Sequence, residues 1–344
     1  MVLFSSLSKN IIKCVLVSFF LFGVLIKVCP DEQNVLYVYS YDSFSDQWGL
    51  GKIATQLFSD APIKIISVGD TIDMLYHAKS FGKKDRQRPD IVFGIANITI
   101  PLARDLGFLQ RLSSGIAYPV FREGITVVDN IMVPYDFGYI AIVYDSKYIK
   151  NPPTDFEDLT SDRFKKKLVL IDPRTSGPGL AFLYWTIAVY GNAFTEYWKR
   201  LSSSIMTMPD SWSTAYGLFT AGETPMVLSY TTSPIYHQVF EKENRYKVAL
   251  FPEGHYRYVE YVAIPTIAAH KHLAEQFIKF ILSKDFQKKI LLGNVMYPAV
   301  KDIPLPSMAH QGMPMKALEL DYTDIAQHKD TWIRDWLSVM SERR

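Results

Sequence analysis

The chain has 344 residues, of which 48% are hydrophobic, and a formal net charge of +2. A chain of this length can bury two substantial cores, so we expect two lobes. The near-neutral charge argues against a nucleic-acid partner, since the richest basic run, KKDRQR at 83–88, is short and typical of a solvated loop. The aromatic share of 14% is typical either of a large core or of a site that binds by stacking.

The N-terminus has the pattern of an export signal. Two lysines precede thirteen uncharged residues, 14–26, a run too short for a membrane span and typical of a signal-peptide apolar region. No small-x-small cleavage site follows, so cleavage, lipidation at Cys29 and an uncleaved anchor stay open. Removal of 1–29, predicted as a signal peptide or anchor, leaves a charge near −1 and no cysteine for a disulfide or metal site.

After this segment, short β-branched apolar runs alternate with helical patterns. The runs that predict strands lie at 35–41, 63–68, 90–95, 141–145, 168–172 and 226–230. The patterns that predict helices lie at 50–59, 71–80, 99–107, 178–190, 213–221, 233–241, 271–281 and 284–291. This alternation predicts an α/β fold with largely parallel sheets, whose ligands bind beyond the carboxyl ends of the strands.

The last segment, TWIRDWLSVM, predicts a C-terminal helix that docks on the rest of the protein. Its apolar side chains fall on one helical stripe, which comprises Trp332, Ile333, Trp336, Leu337 and Met340.

Two strand ends carry candidate binding residues. YVYSYDSFSDQWG, at 37–49, crowds three tyrosines, two aspartates and a tryptophan into thirteen residues, which favours either buried core or the rim of a pocket. DPRTSGPGL, at 172–180, leaves a strand and enters a helix that Thr175 or Ser176 can cap, with Pro178 in its first turn. Such a helix N-terminus is either a plain capped end or an anion site, and the absent lysine argues against a P-loop.

A third cluster is aromatic. Trp212 precedes a helix, Tyr230 ends a strand and Tyr236 lies one turn into the next helix, so all three sit at element ends that face a crevice in this architecture. Any one of them alone is more often core. His237 has no partner His or Cys at ligand spacing, which predicts packing or a hydrogen bond and no metal site.

Catalytic signatures are absent from the sequence. It contains no G-x-S-x-G, no H-E-x-x-H and no glycine-rich dinucleotide fingerprint, and carboxylates such as Asp70 and Asp73 are commonly solvated surface charges. We therefore predict a binding protein, with no catalytic residue and no cofactor.

Six motifs resemble a known family. YSYDSFSDQWG, DPRTSGPGL, WSTAYGLF, LSYTTSPIYH, EGHY and GNVMYP, in this order, closely resemble the periplasmic thiamine-binding proteins of bacterial thiamine ABC importers, from about Val35 to the C-terminal helix. That family has the type II periplasmic-binding-protein fold, in which two α/β lobes close about a hinge on a ligand in the cleft. The resemblance implies a monomer in the periplasm that binds thiamine or its mono- or diphosphate and delivers it to a membrane permease.

The resemblance also implies the ligand-binding residues. The positions carried over are Tyr41, Asp42, Ser43, Trp48, Asp70, Thr71, Ser176, Gly177, Trp212, Tyr230, Ser233 and Tyr236. In the family pattern the Asp70 carboxylate lies near the pyrimidine, and the N–H groups at Ser176 and Gly177 receive the phosphate. Two departures bear on affinity or preference: Val295 replaces the family tryptophan in GNVMYP, and Gly69-Asp70-Thr71 replaces Glu-Asp-Gly.

The implied lobes are residues 31–135 with 258–309, and 136–257, while 310–344 docks as a helical segment. Hinges are expected near Pro134–Asp145 and Tyr258–Pro265. The alternatives that stay open are a ferric-ion binder using Tyr230 and Tyr236, a binder of another pyrimidine-type solute, a salvage enzyme, and a sensor feeding a membrane receptor.

Overall fold

The computed structural model describes residues 35–45 and 49–341. Its strands are β1 (Leu36–Ser40), β2 (Ile63–Ser67), β3 (Ile91–Ala96), β4 (Val133–Asp145), β5 (Leu168–Val169), β6 (Ile205–Thr207), β7 (Met226–Tyr230), β8 (Tyr246–Ala249), β9 (His255–Ala263), β10 (Tyr297–Pro298) and β11 (Ala317–Leu318). Its α-helices are α1 (Asp42–Ser45), α2 (Leu50–Leu57), α3 (Thr71–Ser80), α4 (Ile100–Leu106), α5 (Gly177–Tyr190), α6 (Phe194–Leu201), α7 (Trp212–Thr220), α8 (Ser233–Tyr236), α9 (Lys271–Ile281), α10 (Lys284–Gly293), α11 (Ser307–His310) and α12 (Tyr322–Ser341).

The strands form two groups that share β4. The first half of the fold has the order β2-β1-β3-β9-β4, with β10 also paired to β4, and the second half has the order β4-β7-β5-β6, with β8 also paired to β4. The early part of β4 pairs with β9, and its later part pairs with β7 and β8. This one strand therefore runs through both halves.

The prediction of largely parallel sheets is wrong at the centre of the fold. The pairs β1–β2, β1–β3, β5–β6 and β5–β7 are parallel, but β3–β9, β4–β9, β4–β7 and β4–β8 are antiparallel. The reason is the chain path: β4 carries the chain from the first half into the second and β9 brings it back, so neighbouring strands run in opposite directions.

The predicted elements form close to their predicted positions. The six predicted strands are β1 to β5 and β7, although β4 begins at Val133, well before the predicted 141, and β5 ends at Val169. The predicted helix 233–241 divides into α8 and a π-helical turn, His237–Glu241. Strands β6, β8, β9, β10 and β11 and helices α1, α6 and α11 were not predicted. The omission of β9 matters most, because this strand carries part of the site.

The core of the second half is built on α5, which is apolar on every side and buried over most of its length. Its Trp185 indole N–H donates to the Gly254 carbonyl at 2.9 Å, and the Trp198 indole on α6 donates to Thr186 Oγ1 at 2.9 Å. These two indole rings are therefore buried with their N–H groups satisfied, so they lose no hydrogen bond on leaving water.

Helix α12 packs on this core through its aromatic side chains. Trp336 is 2% exposed, and its ring meets that of Trp198 edge-on with centroids 5.8 Å apart. Trp332 meets Tyr184 in the same manner at 5.7 Å. The described ranges 35–45 and 49–341 hold no helix with both the length and the apolar character needed to cross a membrane. The N-terminal segment 1–29 lies outside the described residues, and the lobe limits stay a prediction.

The α12 contact generates a stability prediction. Trp336→Ala removes a buried ring from the α6–α12 contact, and a change of this kind costs about 3–5 kcal/mol of unfolding free energy. Urea denaturation measures the loss. The fully exposed Met315, changed to Ala, is the control and should stay within about 0.5 kcal/mol of the wild type. A loss below about 1 kcal/mol for Trp336→Ala would mean that α12 unfolds separately from the core.

Candidate ligand-binding site

A cleft of about 650 Å³ is lined by residues of both halves, a volume typical of small-molecule sites. Nine of the twelve predicted binding residues line it, and they are Tyr41, Asp42, Ser43, Asp70, Thr71, Trp212, Tyr230, Ser233 and Tyr236. Most of them directly follow β1, β2, β6 and β7, because the carboxyl ends of the parallel strands in each half point into this space. Trp48 lies outside the described residues. Ser176 and Gly177 do not line the cleft, but both donate hydrogen bonds to Asp70, which does.

The Asp70 carboxylate joins the two halves. Its Oδ1 accepts from the Thr71 N–H at 2.6 Å, at the start of α3, and from the Gly177 N–H at 3.0 Å, at the start of α5. Its Oδ2 lies 3.3 Å from the Ser176 hydroxyl, which donates to it. One carboxylate thus satisfies free N–H groups at the N-termini of helices from different halves, where a negative charge is favourable. We call this arrangement the Asp70 bridge.

The Asp70 bridge occupies the place that the resemblance implied for a ligand phosphate. The Gly177 N–H and the Ser176 hydroxyl point at the aspartate, so a phosphate can reach them only if the bridge opens. The approach is close enough to require glycine: a Cβ added at Gly177 would lie 2.5 Å from the Tyr258 hydroxyl and 3.0 Å from Asp70 Oδ1. The sequence correctly indicated an anion position at this helix end, and the anion in this structure is the protein's own.

Burial in the cleft raises the pKa of Asp70 to about 6, and the hydrogen bonds from Gly177, Thr71 and Ser176 offset only part of that effect. The nearby Asp73 carboxylate adds to the rise. The ionised Asp70 carboxylate accepts these hydrogen bonds, and burying its charge costs desolvation free energy.

An aromatic wall lies on the second half of the cleft. The rings of Trp212 and Tyr216 stack with centroids 4.9 Å apart and planes 16° from parallel. The Trp212 indole donates to Ser229 Oγ at 2.9 Å, which fixes the ring position. The Tyr216 hydroxyl lies 2.9 Å from His237 Nε2, and His237 Nδ1 lies 2.6 Å from a Glu241 oxygen. His237 thus makes the hydrogen bonds that the sequence analysis predicted.

Tyr230 stands between the two halves. Its ring meets that of Tyr258, on β9, at 5.6 Å and a steep angle of 68°. The Ser233 hydroxyl accepts from the Tyr230 N–H at 3.2 Å and lies 2.7 Å from Ser229 Oγ. Ser233 is therefore hydrogen-bonded both to the end of β7 and to Ser229, the residue that accepts from the Trp212 indole.

The floor of the cleft contains residues that the sequence analysis did not identify. Glu260 and Asn294 line the cleft, and Asn294 Nδ2 donates to Glu260 Oε2 at 2.9 Å and to Asp136 Oδ2 at 2.7 Å. The Tyr41 and Tyr135 hydroxyls also donate to Glu260 Oε2, at 3.2 and 3.0 Å. The alternation in HYRYVEYVA places Tyr258 and Glu260 two residues apart on one face of β9, and this period of two was the available signal.

Val295 lines the cleft with a backbone φ of 53°, in the left-handed region. A β-branched residue is rare there, so the backbone is strained at this position. Its small side chain leaves open the space that a larger ring would fill.

Among Asp, Glu, Lys and Arg, only the acidic side chains line the cleft within the described residues. The carboxylates that line it are Asp42, Asp70, Asp73, Asp210, Glu241 and Glu260. No lysine or arginine within the described part of the chain lines the cleft, and no group of three or more His, Cys, Asp or Glu side chains there could hold a metal ion. A wall of this kind favours a ligand that is aromatic or flat and carries positive charge.

Comparison with known proteins identifies the class. A family model described as bacterial extracellular solute-binding protein matches residues 108–324, and the chain belongs to this family. Its curated relatives include the thiamine-binding periplasmic protein of Brucella melitensis, 38% identical over 95% of this chain and 98% of the relative. That of Salmonella typhimurium is 37% identical over 89% and 94%.

A solved structure shows the same fold. A periplasmic thiamin binding protein, 36% identical, superposes with a TM-score of 0.82 over 89% of this chain and 96% of that one. The predicted fold class, two α/β lobes of the type II periplasmic-binding-protein kind, is confirmed. The resemblance stated from the motifs is also confirmed, and like its relatives the protein is periplasmic.

The Asp70 bridge generates a pH prediction. Because the pKa of Asp70 is raised to about 6 from an ordinary value of 3.8, the native state binds more protons than the unfolded state between about pH 4 and 6. This carboxyl therefore contributes less stability as pH rises through that range. Asp70→Asn keeps an oxygen acceptor for Gly177 but does not titrate, so wild-type stability relative to this variant should fall by about 1–3 kcal/mol from pH 4 to pH 7.

Urea denaturation at pH 4, 5, 6 and 7 tests this. The control is Asp60→Asn, an exposed carboxylate that does not line the cleft, for which the difference from wild type should not change with pH. A constant difference for Asp70→Asn as well would contradict the prediction.

Proposed function

We propose that the protein captures thiamine in the periplasm and delivers it to the membrane permease of an ABC importer. The single observation that carries this proposal is the cleft, whose walls combine stacked aromatic rings with carboxylates and have no lysine or arginine among the described residues. Thiamine has a permanently cationic thiazolium ring and a flat aminopyrimidine. Aromatic faces attract such a cation by roughly 0.5–2 kcal/mol each when water is excluded.

The same charge pattern bears on the phosphorylated forms. Thiamine monophosphate and diphosphate belong to the ligand class we propose, but no lysine or arginine within the described residues lines the cleft to neutralise their phosphates. The Gly177 N–H group is the nearest anion site, and Asp70 holds it. We therefore expect thiamine to bind more tightly than the monophosphate, and the monophosphate more tightly than the diphosphate.

We further propose that the ligand leaves chemically unchanged and that the protein works as a monomer. The supporting observations are its membership of the solute-binding proteins and the absence of a catalytic motif in the sequence. Strands β4 and β9 would act as the hinge, because they connect the halves. Ligand contacts made by both halves would shift the population toward the closed form that docks on the permease.

The aromatic wall gives the first test. In calorimetric titration of ligand-free protein, thiamine should bind with submicromolar affinity and the two phosphates more weakly. Trp212→Ala removes a stacked ring at the cleft wall and should weaken thiamine binding by about 10- to 100-fold, or about 1.4–2.8 kcal/mol. Trp212→Phe keeps a ring and should lose less than the alanine variant.

A titration with ferric ion under the same conditions tests the ferric alternative through the tyrosinate–iron absorbance. Absence of heat and of any thermal shift with all three thiamine forms would refute the proposed function.

Val295 gives the second test. The family that the sequence resembles has a tryptophan here, and a ring at this position would add a stacking face while replacing a β-branched residue at a positive φ. Val295→Trp should tighten thiamine binding by about 3- to 10-fold, roughly one aromatic contact. Val295→Ala, which removes the branch without adding a ring, is the matched control for strain relief. Equal effects of both variants would show that strain, and not stacking, limits affinity.

A further inference from the structure

Two carboxyl groups meet beneath the cleft without a cation between them. Asp136 on β4 and Glu260 on β9 are direct cross-strand partners on the strands that connect the halves. Asp136 is fully buried, and Glu260 is 7% exposed and lines the cleft. Within the described chain neither carboxyl makes an ion pair with a lysine, arginine or histidine. Like charges opposite each other in a sheet are destabilising, so the pair requires an explanation.

Hydrogen bonding shows how the charge is divided. Glu260 Oε2 accepts from the hydroxyls of Tyr41 and Tyr135 and from Asn294 Nδ2, and three donors favour its ionised form. Asp136 Oδ1 is buried without any donor, and only Oδ2 accepts, from Asn294. This hydrogen bonding favours a single proton on the pair, held by Asp136, and a negative charge on Glu260.

Burial and the hydrogen bonds act on the pKa values of both carboxyls. Burial first, and then the Glu260 charge, raises the pKa of Asp136 well above its usual range. Burial also raises the pKa of Glu260, but the hydrogen bonds to its carboxylate oppose that rise. Burial also raises the pKa of the Tyr41 and Tyr135 phenols, so both remain protonated donors. The other ionisable groups that interact with the pair are Tyr230 on β7 and Tyr258 on β9, and neither supplies a positive charge.

We propose that Glu260 is the counter-charge for the cationic ring of the bound ligand, and that ligand binding expels the proton held on Asp136. This rests on the proposed function and deepens it. A cation placed above Glu260 stabilises negative charge on both carboxyls, and the Asp136 proton passes to the solvent. Binding then releases up to one proton, so affinity for the cation rises with pH across the range in which Asp136 is protonated.

The test is calorimetric titration of the full mature protein at pH 7 in phosphate and in Tris, whose ionisation enthalpies differ greatly. Wild type should release a measurable fraction of a proton per thiamine bound. Asp136→Asn, which has no proton to lose at this position, should release none. Asp60→Asn, the exposed control, should release as much as wild type.

An uncharged analogue of thiamine tests whether Glu260 acts as a counter-charge or only supports the structure. In this analogue a carbon atom replaces the thiazolium nitrogen, so the ring carries no charge. Glu260→Gln should weaken thiamine at least tenfold and leave the neutral analogue within about threefold, because only the cation loses its partner. Thermal unfolding establishes that the variant is folded, and the wild-type and Asp136→Asn proton counts decide the question if it is not.

The outcomes separate this inference from the proposed function. Thiamine binding by wild type with equal heats in both buffers would overturn the inference and leave the function standing. Equal losses for thiamine and the neutral analogue in a folded Glu260→Gln variant would do the same. Absence of thiamine binding by wild type would refute the function itself and the inference with it.

Discussion

The Asp70 carboxylate accepts hydrogen bonds from the N-termini of α3 and α5, which belong to different halves of the fold. The geometry of the cleft follows from this contact. It ties the start of α3 to the start of α5, and it requires glycine at 177 because both Asp70 and the Tyr258 hydroxyl approach the backbone. It is also a costly contact, since the charge is withdrawn from water. A ligand that competes for these N–H groups therefore competes with a group of the protein itself.

Carboxylates and aromatic rings divide the work of recognition. In the proposed complex the rings would supply contact area for a flat cation, whereas the carboxylates would select for positive charge and gain strength as water is excluded from the cleft. Glu260 accepts from three donors, as Asp70 does, and it lies on a strand that connects the halves. If both proposals hold, recognition of the charge and movement of the halves would depend on the same strand.

The motifs at strand ends predicted much of the site from sequence, because turns after strands are short and their residues cannot lie far from the sheet edge. Tyr41, Trp212 and Tyr230 were found in this way, whereas Asp70 was implied only by the family resemblance. Glu260 was not, since it lies within a strand and its partners come from residues over 30 to over 200 positions away. The contact of Asp70 with Gly177 spans 107 positions, and no local pattern encodes it. The antiparallel centre was missed for the same reason: pairing depends on the return path of the chain.

Strand β4 contributes backbone hydrogen bonds to both halves, in its early part to β9 and in its later part to β7 and β8. A cut within it would leave each fragment with an unpaired sheet edge, which is prone to aggregate. The halves therefore cannot be inherited or exchanged as separate modules, even though each has its own helices. Recombination between related proteins should preserve β4 intact together with β9, and new binding specificities should arise by changes in the loops at the strand ends.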